Sequence, residues 1–394
     1  MHLLFLAHRL PYPPNKGDKI RSFRWLDHLS RKYDVHLGCF VDRQEDMAHV
    51  ETLRPGLASV AAIPLDPRLA RLRALARLRP GMPLSVGYFH DRRLRAWVRQ
   101  TRRNHPIERA LVFSSAMAPY LDDADGLPTL FDMVDLDSEK FAAYGAESGG
   151  LRALVWRREA RTLLALERAA TARFTRTFLV SDAERDRFTA LAPETGARTE
   201  AVPNGVDTGF FDPGQDWPNP YPPDRPAIVF TGAMDYRPNI DACLWFAQSV
   251  MPDLARDRPG PVFHIVGADP APQIRALAAH PSINVHPDVP DIRPYLRHAA
   301  LAVAPLRIAR GIQNKVLEAM AMARPVLTTT AALTGISAIA GRDALVADDA
   351  EAMLSGARAI LRGEWPGLGA AGRASVTANH GWSTALAALD RVLA

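Results

Sequence analysis

Cysteine is almost missing: Cys39 and Cys243 are the only two in 394 residues. They stand far apart, each inside an apolar run, so neither a disulfide framework nor a CxxC metal site is available, and two buried thiols are expected. Missing too is any run near the roughly 20 apolar residues that a spanning helix requires. The apolar opening MHLLFLAHRLPYP is too short for a span and lacks the basic flank of a secretion signal, so a cytoplasmic protein is expected. No repeat of about 20 to 50 residues occurs, which excludes solenoids and arrays. The strand-to-helix turns offer no GxGxxG fingerprint, and GxxxxGK[ST], GxSxG and HExxH occur nowhere. Dinucleotide oxidoreductase, P-loop NTPase, α/β-hydrolase and zincin readings therefore lose their signatures.

What is present is the composition of a soluble globular chain, 47% hydrophobic and 23% charged, long enough for two cores. Its basicity is local. Residues 68–103 hold eleven Arg against the single acid Asp91, a segment charge of +10 within a chain whose net charge is +5. The repeat RLARLRALARLR sets Leu69, Leu72, Leu75, Ala76 and Leu78 against Arg68, Arg71, Arg73, Arg77 and Arg79. Such a pattern suits either a core-packed helix with a solvated Arg face or an amphipathic helix on an anionic membrane surface; nucleic acid is not the expected partner.

Apolar runs alternate with amphipathic stretches from the start: LLFLAH, DKIRSFRWLDHLSRKY, VHLGCFV, then RALVFSS and TLFDMV. Strands alternating with helices imply a parallel sheet covered on both faces. Between Pro213 and Pro226 six prolines fall in fourteen residues, a density that helix interiors and central strands do not tolerate. The rhythm restarts with AIVFTG and VFHIVG. The expected organisation is a Rossmann-like domain over 1–210, a Pro-rich linker over 211–225, a second Rossmann-like domain over 226–380, and a C-terminal helix over 381–394 that packs back on the first domain. Open α/β sheets bind ligands outside the carboxyl ends of their strands, so a cleft between two such domains is the expected site.

In RGIQNKVLEAMAMARPV, Lys315 and Glu318 lie three residues apart on one face of an expected helix, while Ile312, Val316 and Met320 line another. On spacing alone this is a weak surface ion pair, contributing about 0.5 kcal/mol or less. The sharper reading is chemical: an ammonium neutralises a diphosphate and a carboxylate accepts hydrogen bonds from a ribose diol. Gly311 stands just before that helix, whose N-terminus suits an anion, with Arg307 and Arg310 close by.

The ordered set PPNKGDKIRSFRWLDHL, VSDAERDRF, VPNGVDTGFF, FTGAMDYRPNIDACLWF, FHIVGADP and PLRIARGIQNKVLEAMAMARPVLTT resembles the retaining nucleotide-sugar glycosyltransferases of family 4, which have the two-domain GT-B fold. More narrowly, FDMVDLDSEKF with GAMDYRPN and GIQNKVLEAMA looks like the sugar transferases of bacterial exosortase (PEP-CTERM) exopolysaccharide systems. The resemblance implies two doubly wound domains facing each other across a cleft, a nucleoside-diphosphate sugar donor, a saccharide or lipid-linked acceptor, and retention of configuration. It implies no resident metal or cofactor, although Asp135 and Asp137 fit the D-x-D pattern of unrelated metal-dependent glycosyltransferases.

Glu318 matches the second carboxylate of the family's E-x7-E signature, which binds the donor ribose, and Lys315 a basic residue near the phosphates. Arg310 stands where the first signature Glu would be, and Ala323 where many members have Gly. Gly232 opens a segment that lacks the usual basic pair after it, with Arg237 and Arg307 as substitutes. Gly17 would let a loop of the first domain approach the donor closely. Asp132, Asp135 and Asp137 follow or end a strand; Asp137 suits a helix N-cap, which leaves Asp135, then Asp132, as the candidate base. Two other readings are a GT-B-like nucleotide-sugar epimerase and a noncatalytic, membrane-associated assembly factor.

Overall fold

The computed structural model describes residues 1–14, 17–124, 126–309 and 311–393. They form two compact units, 1–202 with 390–394, and 203–389.

In the first unit seven strands form one parallel sheet: β1 (His2–Ala7), β2 (Asp34–Val41), β3 (Ser59–Pro64), β4 (Ile107–Phe113), β5 (Thr129–Val134), β6 (Arg176–Leu179) and β7 (Thr199–Ala201), in the order β3-β2-β1-β4-β5-β6-β7. The order reverses between β1 and β4, the place where open sheets leave a crevice. The runs LLFLA and VHLGCFV become strands because both faces are covered: Leu4, Leu6, Phe40, Val112 and Phe131 share one core.

The second unit repeats the plan with β8 (Ala227–Thr231), β9 (Val262–Gly267), β10 (Ile283–Pro287), β11 (Leu301–Ala304), β12 (Val326–Thr328) and β13 (Leu345–Val346), ordered β10-β9-β8-β11-β12-β13. Here the reversal lies between β8 and β11, over a core that includes Ile228, Phe230, Phe246 and Phe263.

The proline-dense stretch is not a free linker, and the first unit ends at Val202, not at 210. Aromatic residues set between its prolines find partners in the second unit. Tyr221 is buried and donates its hydroxyl hydrogen to the Tyr295 carbonyl at 2.8 Å, His298 Nε2 lies 2.7 Å from the Trp217 carbonyl, and the Arg293 guanidinium lies over Phe210 and Trp217 at 3.6 and 4.3 Å. Proline removes backbone donors without preventing side-chain packing, so its density fixed the local conformation and left the placement open. The Trp382–Leu393 helix begins near the expected 381, and its last residues, from Asp390, group with the first unit, where Asp390 meets His28 and Lys32 at 2.8 and 2.6 Å.

Candidate functional site

At the carboxyl end of β8, Gly232 has φ 151° and Gly267, ending β9, has φ 156°. A methyl on Gly267 would overlap the Gly232 carbonyl, so these turns touch backbone to backbone. A methyl on Gly232 would come within 2.8 Å of Asn239 Nδ2 and 3.3 Å of Lys315 Cε. The missing side chain is what lets those two residues meet. Lys315 Nζ donates to Asn239 Oδ1 at 2.8 Å, Asn239 Nδ2 donates to the Ala233 carbonyl at 2.8 Å, and the ammonium sits 5.2 Å from the Phe230 ring centre.

Lys315 and Glu318 both belong to the Asn314–Ala321 helix, whose Val316, Leu317 and Met320 are buried. The helix starts three residues after Gly311, which takes a left-handed φ of 60°, and the Gln313 side chain does not cap it. Both candidate residues are half-buried, unlike a solvated surface pair. Desolvation lowers the Lys315 ammonium to about 8, with the Glu318 charge opposing. The same desolvation raises Glu318 to about 7, with Lys315 opposing. The ammonium turns to Asn239 while the Glu318 carboxylate accepts no hydrogen bond among the described residues. A half-buried carboxylate of this kind has its lone pairs available for a ligand.

The other basic candidates divide. Arg307 is held by Asp241 through two hydrogen bonds at 3.1 and 2.6 Å and lies 5.7 Å from the Trp245 ring centre. Its charge is largely answered by Asp241. Arg237 opens the Arg237–Ser249 helix and is exposed, and Arg310 lies outside the described residues. Gly17 is the exposed first residue of the Gly17–Ser30 helix in the first unit. Asn239 was missed by sequence reading; it sits inside the quoted RPN, but its partner is 76 residues away.

In the first unit Asp132 is 0% exposed and accepts from Arg21 Nε and Nη2 at 2.7 and 3.2 Å, and from the Val134 N–H at 3.0 Å. Arg21 is equally buried and also donates to the Val202 carbonyl at 2.7 Å. These contacts make Asp132 an internal strut, which corrects its candidacy as a base. Val134 takes φ 68°, unusual for a β-branched residue, and after it Asp135 emerges exposed at the strand's carboxyl end. Desolvation, then the charges of Asp137 and Glu184, push its carboxyl up to about 7. Asp137 is not the N-cap: it is the first residue of the Asp137–Glu147 helix and pairs with Lys140 at 3.2 Å. The Leu136 N–H is instead satisfied by Glu184 at 2.8 Å.

Two further groups escaped the sequence pattern. Glu167, in the middle of the Gly150–Arg173 helix, accepts from Ser138 and Ser115 hydroxyls at 2.6 and 3.3 Å, and burial pushes it to about 8. His8, just past β1, stacks on Phe113 and reaches Asp18 at 3.3 Å, while Arg9 binds the same carboxylate at 2.8 Å. His8 and Arg9 help hold Asp18 well below the usual carboxylate range, although burial opposes them. One string also has a misleading spacing. Gly367-Leu-Gly-Ala-Ala-Gly372 matches GxGxxG but follows the Ala350–Leu361 helix, not a strand. Its Gly369 and Gly372 allow close approach to the backbone at Ala323 and Asp343, which is packing and not cofactor recognition.

Residues 225–362 match the profile of a family described as glycosyl transferases group 1. No curated protein matches the chain. Among solved structures, HepE of Anabaena in complex with UDP and glucose is similar with a TM-score of 0.68 and 15% identity, over 100% of this chain and 99% of that one. WaaG, a glycosyltransferase involved in lipopolysaccharide biosynthesis, gives 0.68 and 16% over 99% of both chains. The sucrose-phosphate synthase of Thermosynechococcus elongatus gives 0.69 and 16%, over 100% and 98%. The two parallel-sheet α/β domains thus have the GT-B fold.

Proposed function

We propose that this chain is a glycosyltransferase that moves a sugar from a nucleoside-diphosphate donor to a saccharide or lipid-linked saccharide acceptor, with retention, in exopolysaccharide synthesis. The observation that carries the donor half is the pair built by the Asn314–Ala321 helix: an ammonium positioned by Asn239 beside a half-buried carboxylate that accepts no hydrogen bond among the described residues. UDP bound to HepE and the matched group 1 segment support the same reading. As the bond from the anomeric carbon to the diphosphate oxygen breaks, charge collects on the leaving phosphate. Lys315 and the free N–H groups of that helix stabilise it there. Glu318 holds the ribose hydroxyls.

Retention requires the acceptor oxygen to form the new glycosidic bond on the face that the diphosphate leaves, with the leaving phosphate helping to take its proton and Asp135 acting as auxiliary base or positioning group for the acceptor hydroxyl. A carboxyl near 7 must be ionised to do this, so transfer rises with pH through about 7. The Asp135→Asn variant is expected to lose that limb and most of its transfer while still binding nucleotide; retained transfer with an unchanged pH profile would remove Asp135 from the reaction. The decisive experiment for the function itself is thermal shift against nucleoside diphosphates followed by a transfer assay with the sugar donors that bind. No shift with any of them would favour the noncatalytic reading, and isomerised donor without acceptor would favour the epimerase.

For the acceptor side, a cavity of about 660 Å3 at the carboxyl ends of β2 and β3 is lined by Val41, Asp42, Pro64, Asp66, Arg68 and Arg71 among others. It adjoins the Pro67–Ala76 helix, which turns Ala70 and Ala74 inward and leaves Leu69, Leu72 and Leu75, with Leu78 beyond it, 51 to 63% exposed. Leucines out and alanines in is the reverse of a core-packed amphipathic helix. Leu151 and Leu154 are exposed as well, in the helix whose Arg158 ties to the Arg79 and Met82 carbonyls at 2.7 and 3.1 Å. Exposed leucines among arginines suit an anionic lipid surface, where a lipid-linked acceptor would be met. The rest of the basic segment does not take part: Leu94 and Val98 are in the core, and Arg99 and Arg102 pair with Asp123 at 2.7 and 3.0 Å. Leu72→Glu with Leu75→Glu is expected to cut binding to anionic vesicles more than tenfold in a protein that melts as before; unchanged vesicle binding would sink the membrane assignment. No helix among the described residues is long and apolar enough to cross a membrane.

A further inference from the structure

At the opposite, amino-terminal edge of the first sheet three histidines converge. His2 opens β1, His36 lies near the start of β2, and His105 ends the Arg92–Asn104 helix as its C-cap. One ring nitrogen from each lies within 4.8 Å of the others. His2 Nδ1 is 3.1 Å from His36 Nε2, and the His36 and His105 ring centres are 4.5 Å apart. His36 is 0% exposed, while His2 and His105 are part-buried and reachable from solvent.

From this geometry we propose that His2, His36 and His105 form a binding site for a late first-row divalent cation, with zinc as its natural occupant. Imidazole nitrogens suit zinc, copper and nickel, and three of them leave one position for water or a fourth ligand. Tetrahedral zinc with Zn–N of about 2.0–2.1 Å sets its nitrogens about 3.4 Å apart, a spacing that the 3.1 Å His2–His36 pair nearly meets. The His105 ring makes no hydrogen bond among the described residues, so turning it toward a metal breaks none. Orientation of the buried ligand is already supplied. His36 Nδ1 lies 2.8 Å from Ser59 Oγ on β3, which turns Nε2 into the cluster, the way outer partners orient metal-bound imidazoles. Asp34 stands beside His2 across the β1–β2 ladder, where its carboxylate lies 3.7 Å from the Met1 ammonium. Occupied, the site would clamp β1, β2 and the Arg92–Asn104 helix together, independently of the glycosyltransferase reading.

The test uses untagged full-length protein, stripped with chelator and titrated with zinc chloride alone. One zinc per chain is expected, with a higher melting temperature and, when cobalt replaces zinc, the visible absorption of a low-symmetry nitrogen-ligated ion. His105→Ala and His2→Ala should each weaken binding at least tenfold, and Ser59→Ala by about tenfold, the usual scale for an outer partner. Because His2 and His105 are part-buried, both variants should melt as the stripped wild type does. Absence of stoichiometric zinc in the wild type, or affinity unchanged in both histidine variants, would overturn the proposal.

Discussion

Replacing Glu318 by alanine is expected to lower nucleoside-diphosphate affinity more than tenfold, a loss of over about 1.4 kcal/mol, without unfolding the protein. The carboxylate has no hydrogen-bond donor among the described residues, so its removal breaks no hydrogen bond among them. Its raised value near 7 means the folded chain binds more protons than the unfolded one between the ordinary carboxylate range and 7. Stability therefore falls as pH rises through that window, and the alanine variant should melt no lower than wild type at pH 8. The ligand profile follows the same two groups. Glu318 is ionised above about 7 and Lys315 charged below about 8, so nucleotide affinity should peak between them. Glu318→Gln should remove the acid limb and Lys315→Met the alkaline limb, both read by calorimetry across pH. Equal affinity in Glu318→Ala and wild type would end the ribose assignment.

Arg21→Met is expected to destabilise the first unit by about 3–5 kcal/mol, because it leaves Asp132 buried with an uncompensated charge. The pair is deep and doubly bonded, with both side chains 0% exposed and the guanidinium 5.0 Å from the Trp25 ring centre. Adding Asp132→Leu to Arg21→Met should recover much of the loss, since removing both charges removes the desolvation that the pairing offset. Chemical denaturation of the two singles and the double closes the cycle. A cost below about 1 kcal/mol for Arg21→Met would show that the contact is not the strut described. Any fall in transfer for Asp132→Asn should track its stability, whereas that of Asp135→Asn should not.

Local pattern carried the architecture. Runs such as LLFLA and AIVFT became strands because a short continuous apolar run suits a strand buried on both faces, and such a run is visible within a few residues. The spacing that puts Lys315 and Glu318 on one helix face was legible for the same reason. Harder to read was which of several acids at one strand end does chemistry. Asp132 and Asp135 are three positions apart and look alike on paper, yet one meets Arg21 from 111 residues away and the other follows a left-handed Val134 into solvent. The prolines of 213–226 announced irregular backbone correctly, while their aromatic neighbours decided that the stretch packs into the second unit.

By itself, then, the sequence determined two parallel α/β domains, the helix that bears Lys315 and Glu318, and the strand that ends near Asp135, since each is written in near-neighbour pattern. Tertiary structure alone decided that Lys315 leans on Asn239, that Asp132 is a strut, that the leucines of 69–78 face outward, and that His2, His36 and His105 meet. Apart from the outward leucines, those outcomes are contacts between residues 34 to 111 positions apart, and a pairing across that distance is set by how the sheets order their strands, which no local spacing encodes.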